Sequence, residues 1–83
     1  MYVHLGNNVV ISSKEIIAIL NIEKPLPVDT RDIIEIARME RTLVNVSETG
    51  KEKALIICDD KVYLSPISSN TLLKRSFADY KEV

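Results

Sequence analysis

His4 and Cys58 are the chain's one histidine and one cysteine. A structural zinc site takes about four thiolate or imidazole ligands, so composition excludes one. His4 lies among Tyr2, Val3 and Leu5, where a packed or edge-strand histidine is expected. Cys58 ends an apolar run and is followed by Asp59 and Asp60. Anionic neighbours raise a thiol pKa, so this pattern predicts a core cysteine and no reactive thiolate. The Asp59-Asp60 pair reads as a turn former. Ser65, Ser68 and Ser69 have no hydrolase pattern of His and Asp around them, and capping explains them. Gly6 and Gly50 are isolated, so there is no phosphate-cradling loop. The expectation is a non-enzyme with no catalytic residue, metal, cofactor or small-molecule substrate.

One chemistry remains open, which is contact with an anion. Lys14, Lys51, Lys53, Lys74 and Arg75 are the candidate DNA-contacting residues. Lys14 falls in a polar break between two strand pieces. Lys51 and Lys53 flank an expected hairpin tip, and loops on a rigid sheet commonly carry binding residues. The competing reading is that all five are ordinary solvated cations. Eleven basic and twelve acidic residues give a formal charge of −1, whereas nucleic-acid-binding domains usually show a basic excess. The two signs also balance along the chain. Binding to phosphate therefore needs spatial sorting of charge, or repetition of a weak patch around an oligomer.

The elements that must position these residues follow from patterning. Tyr2–Leu5, the turn signal Gly6-Asn7-Asn8 and Val9–Ser12 predict a hairpin. Ser12–Glu15 interrupts it. Glu15–Ile22 is rich in isoleucine and predicts a buried strand. Pro25 and Pro27 enforce a loop. Asp29 stands where an N-cap belongs, and a helix is expected from Thr30 to about Arg41. Its stripe is Ile33, Ile34 and Ala37, with Ile36 flanking and the Arg41 stem at its end; Arg31 and Glu35 are placed for an i,i+4 ion pair. Leu43–Ser47 predicts a strand joined to the next by a hairpin loop containing Gly50.

Lys53–Cys58 reads as a central strand, covered on both faces. After Asp59-Asp60, Lys61–Ser65 predicts a strand with Val62 and Leu64 on one face and Tyr63 on the other. Ser68 or Ser69 caps a last helix from about Asn70 to Tyr80. The fold class is α+β: one domain with a small, mostly antiparallel sheet and two helices.

Eighty-three residues without a disulfide make a marginal core, and small domains of this kind often gain stability by oligomerising. Self-association is expected, with Tyr63, Phe77 and Tyr80 as candidate interface residues. The N-terminus lacks a signal-peptide pattern. The longest apolar run, Ile16–Leu20, is too short to span a bilayer. A cytoplasmic location follows.

Met1–Gly6, Val10–Ile19 and the closing Tyr63–Arg75 (Tyr-Leu-Ser-Pro-Ile-Ser-Ser-Asn-Thr-Leu-Leu-Lys-Arg) resemble the RemB branch of the RemA/RemB extracellular-matrix regulatory family of Bacillus-type bacteria. The likeness covers nearly the whole chain and is weakest from Glu23 to Glu48. It implies a small α+β regulator of biofilm matrix genes. The RemA branch assembles into rings and binds DNA through arginines in the loop before its second strand segment and in a Gly-Arg-Arg hairpin. By resemblance, the first position falls at Lys14 or Glu15. The second falls at Gly50-Lys51-Glu52, with Lys53 nearby. This chain departs from the pattern there. Lysine is a point charge where arginine forks onto phosphate, and Glu52 repels phosphate. Two readings follow: a ring-forming regulator that holds double-stranded DNA by its backbone, or an oligomeric protein-interaction module that never touches DNA.

Overall fold

The computed structural model describes residues 2–23, 25–48 and 50–76. Strands β1 (Tyr2–Gly6) and β2 (Val9–Ser12) form an antiparallel hairpin. Asn7 and Asn8 both take positive φ, 46° and 64°. This is the mirror-image turn that matches strand twist, and asparagine tolerates it best after glycine. A 3₁₀ turn, Ser13–Glu15, is capped by the Ser12 hydroxyl, which accepts from the Lys14 N–H. Strand β3 (Ile16–Asn21), helix α1 (Val28–Met39), strands β4 (Leu43–Asn45), β5 (Ala54–Cys58) and β6 (Val62–Ser65), and helix α2 (Ser69–Ser76) complete the order. The α+β class holds, with two sheets: the β1–β2 hairpin and a four-stranded sheet in the order β3-β5-β6-β4.

The sheet is packed on both faces. Ala54, Ile56 and Cys58 of β5 point to one side, where Val3, Leu5 and Ile11 of the hairpin and Leu72 of α2 cover them. Leu55 and Leu64 point to the other, against Ile33 and Ile34 of α1. Alternation along β5 thus feeds two cores, as its continuous apolar run predicts. Leu72, Leu5, Leu55 and Ile56 are fully buried, each contributing roughly 1.5–3 kcal/mol of transfer free energy. Val62 and Tyr63 divide between the two cores as expected.

Several expectations are corrected. Leu43–Asn45 and β5 do not form a hairpin; β4 pairs in parallel with β6, Leu43 opposite Val62. Both edges of β5 are already occupied, by β3 and β6. The longer antiparallel pairings win, and the segment after β4 becomes a crossing loop. Asn45 ends β4 by accepting the Ser47 N–H on its side-chain oxygen. Strand β3 is an edge, not a buried strand. It carries a bulge between Ile16 and Ala18, and Ile17 there is 65% exposed.

Helix α1 starts two residues early. Its N-cap is Pro27, which makes no side-chain cap, and Asp29 sits in the first turn. The Pro27 carbonyl accepts from Arg31 while its ring fixes the extended entry; Asp29 then acts on the positive helix end. Ile36 is exposed. Arg41 lies outside the helix at φ 61°. Glu35 pairs with Arg38 at 3.8 Å and not with Arg31. Helix α2 begins at Ser69, and the Ser68 hydroxyl caps it by accepting from the Thr71 N–H. The expected extension to Tyr80, with Phe77, lies outside the described residues.

Candidate nucleic-acid interface

Lys51 and Lys53 sit at the end of the crossing loop. Gly50 supplies a φ of +87°, and the Lys51 N–H returns to the Glu48 carbonyl at 3.0 Å. Lys53 extends the sheet by one residue: its N–H donates to the Ser65 carbonyl at 2.8 Å, and its own carbonyl accepts from Ile22 at 3.1 Å. The Lys53 backbone is therefore fixed from both sides while its side chain stays exposed. Lys51 also holds an exposed ion pair to Glu48 at 3.2 Å, of little stabilising value.

Opposite this loop runs the edge of α1. Arg31 and Arg38 are seven residues apart, two turns along one side and about 10 Å in axial distance. Between α1 and the loop lies an open groove of about 660 Å³. Arg31, Arg38, Lys51 and Lys53 line it, together with Glu23, Glu35 and Glu52. Four cations against three carboxylates leave a local excess of +1. The groove continues past Arg38 and Glu52 towards Leu43 and Asn45.

The structure does not gather all five nominated cations here. Lys14 precedes Ile16, which pairs with Cys58, whereas Lys53 precedes Ala54 at the opposite end of β5. At strand rise β5 separates them by about 14 Å. Lys74 and Arg75 lie in the last turn of α2, on the hairpin side of the sheet. Arg75 donates to the His4 carbonyl at 2.9 Å and pins α2 to β1. Arg31 and Arg38 lie off the apolar stripe that marks α1 in the sequence; their i,i+7 spacing is the signal that puts them on one edge of the helix.

The groups excluded as chemistry have structural roles. Cys58 is buried, and its thiol is pushed up to about 11 by burial, with Glu15, Asp59 and Asp60 adding to the shift. Tyr63 is half-buried in the hairpin-side core; burial raises its phenol, helped by Cys58, Glu15 and Asp60. Ser65 is fully buried, donating to the Leu5 carbonyl at 2.7 Å and accepting the Ile67 N–H at 3.0 Å. Among the described residues no three of His, Cys, Asp and Glu come close enough to hold a metal ion. Nor is any described helix long and apolar enough to cross a membrane.

The model of the RemA-like family, described as extracellular matrix regulatory protein A-like, matches residues 2–76. The chain belongs to the RemA-like family. It is also 31% identical over 77 residues to extracellular matrix regulatory protein B of Bacillus subtilis (strain 168), covering 92% of this chain and 90% of that relative. Every described element, from β1 through α2, lies within the RemA-like match. Its boundaries also include the groove and all its charged residues.

Proposed function

We propose that the protein is an oligomeric regulator of extracellular-matrix gene expression that holds the DNA backbone through a weak basic patch repeated around a ring. Family membership supports the regulatory role, as does the name of the Bacillus subtilis relative. One observation carries the DNA contact: Lys51 and Lys53 converge with Arg31 and Arg38 on one groove. The two arginines supply the forked donors that the 50–53 segment lacks. An excess of +1 per subunit is weak alone, but sites repeated at a fitting spacing combine by effective concentration. Contacts of this kind hold phosphates and carry little base readout.

Exposed apolar residues support the assembly. Tyr2 and Val10 lie on the outer face of the hairpin and Ile17 on the β3 edge; they are 74%, 53% and 65% exposed. Val28, Ile36 and Met39 lie on the outer side of α1, on the other face of the sheet, at 67%, 55% and 80%. Two different patches on opposite faces suit head-to-tail association, which closes into rings when the rotation permits.

A second reading is favoured by the glutamates. Glu23, Glu35 and Glu52 within the groove repel phosphate, which suits an oligomeric module that regulates through a protein partner. Binding to a long AT-rich duplex across a salt series, with native mass measured in parallel, separates the two. Steeply salt-dependent binding that Lys51→Glu weakens supports the DNA reading. An intact oligomer that fails to bind at low salt removes it and leaves the protein-partner reading.

A further inference from the structure

We propose that the groove between α1 and the 50–53 segment is a binding site for a nucleoside phosphate. The inference stands on the shape and lining of the groove and does not rest on contact with DNA. At about 660 Å³ it falls within the size range of small-ligand sites. Its floor is apolar, made by Ile22 and Leu26 of the loop after β3, Ile34 of α1 and Leu64 of β6. A duplex resting on the rim would reach the cations and leave this floor unused. A small ligand with a flat body uses both.

The polar lining fits that class in three ways. The cations come from two separate elements, so a phosphate between them gathers donors from both sides. Arginine, in addition, stacks on planar rings. Among the described residues, Arg31 and Lys53 have no ion-pair partner, and the pairs of Arg38 and Lys51 are exposed ones that break at little cost.

The carboxylates supply the third feature. Glu23, Glu35 and Glu52 leave an excess of only +1, a poor trap for a bare anion. They are acceptors, however, for ribose hydroxyls and exocyclic amines, donors that a nucleoside phosphate carries and inorganic phosphate lacks. A bound nucleotide would also occupy Lys51 and Lys53, and would compete with DNA wherever DNA uses them.

The test is calorimetric titration of the full chain with magnesium-free ADP, alongside inorganic phosphate and adenosine. Sub-millimolar binding of one ADP per chain is expected, with both controls at least about tenfold weaker. Arg31→Ala and Arg38→Ala should each weaken ADP binding by about tenfold, the loss of one charge-assisted hydrogen bond. Both residues are exposed, so the variants should keep the parent circular dichroism. Lys74→Ala, on the other face, should bind as the parent does. No ADP binding up to a few millimolar, equal binding of inorganic phosphate, or folded arginine variants with unchanged affinity would each overturn the proposal. Failure of DNA binding with ADP binding intact would remove the DNA reading alone.

Discussion

Ser65 shows how much a single buried hydroxyl can decide. Among the described residues it is the one side chain that hydrogen-bonds the sheet to the β1–β2 hairpin, as donor to Leu5, while holding the chain turn at Ile67 as acceptor. Ser65→Ala leaves the Leu5 carbonyl and the Ile67 N–H without this partner. A loss of about 1–3 kcal/mol is expected in urea unfolding, with little change in the slope. Cys58 sets a different dependence. Its folded thiol sits at about 11 against an ordinary 9.0, so the folded state keeps a proton that the unfolded chain has lost. The stability tied to it is complete below pH 9.0 and falls as pH rises through about 11. Tyr63, shifted upward by burial, acts in the same direction at higher pH. Unfolding free energies measured from pH 7 to 11 should therefore decline, and Cys58→Ala should flatten the first part of that decline; an equally steep profile in the variant would refute the assignment. The buried role of Cys58 was legible because three signals agreed: an apolar run before it, two carboxylates after it, and no ligand partner. Arg31 and Arg38 show in the sequence only as an i,i+7 pair, and nothing in a single sequence says that this helix edge faces the 50–53 segment.

At the scale of elements, the hairpin β1–β2, the central position of β5 and the facing of β6 were readable, each from local alternation and turn chemistry. The neighbours of β4 were not. A strand, a glycine-containing loop and another strand are the pattern of a hairpin, but pairing is a competition for edges, and β3 lies too far back in the chain to be weighed locally. The parallel β4–β6 ladder is held by the Val62 N–H to the Thr42 carbonyl at 3.0 Å and the Val46 N–H to the Leu64 carbonyl at 2.9 Å. The end of α1 escaped for a related reason. Arg41 occupies the left-handed position that helices usually give to glycine, with the Thr42 N–H closing back on Ala37 at 2.9 Å and the Arg41 N–H on Arg38 at 3.2 Å. A left-handed residue with a Cβ costs roughly 1–2 kcal/mol, part of which glycine returns through unfolded-chain entropy. Arg41→Gly should stabilise the protein by about 0.5–1 kcal/mol, raising its melting temperature by several degrees. The opposite sign is expected at Gly6, where φ is +104° and an added Cβ would meet Pro66 Cγ at 3.2 Å. Gly6→Ala should lower the melting temperature. Differential scanning calorimetry of the two variants checks both signs.

On the scale of the whole molecule, charge and apolar surface are sorted differently. The sequence shows a chain balanced to −1; folding collects Arg31, Arg38, Lys51 and Lys53 around one groove and sends Lys14, Lys74 and Arg75 elsewhere. The exposed apolar residues divide between Tyr2, Val10 and Ile17, on the hairpin and the β3 edge, and Val28, Ile36 and Met39, on the outer side of α1. Tyr63, expected at an interface, is half taken up by its own core. Proposed head-to-tail assembly through these two patches makes a prediction that self-matching contact does not. Ile17→Asp damages the hairpin-side patch, and Met39→Asp damages the α1-side patch. Both residues are exposed, so each variant should fold as a monomer. Each variant keeps the patch that the other has lost. Mixed in equal amounts, the two should form a heterodimer through their one remaining pair of intact patches and grow no further, since the outer patches of that dimer are both damaged. Native mass spectrometry of the separate variants and of the mixture reads this directly. Monomers that stay monomeric on mixing, or variants that assemble as the parent does, would place the subunit contact on other surfaces.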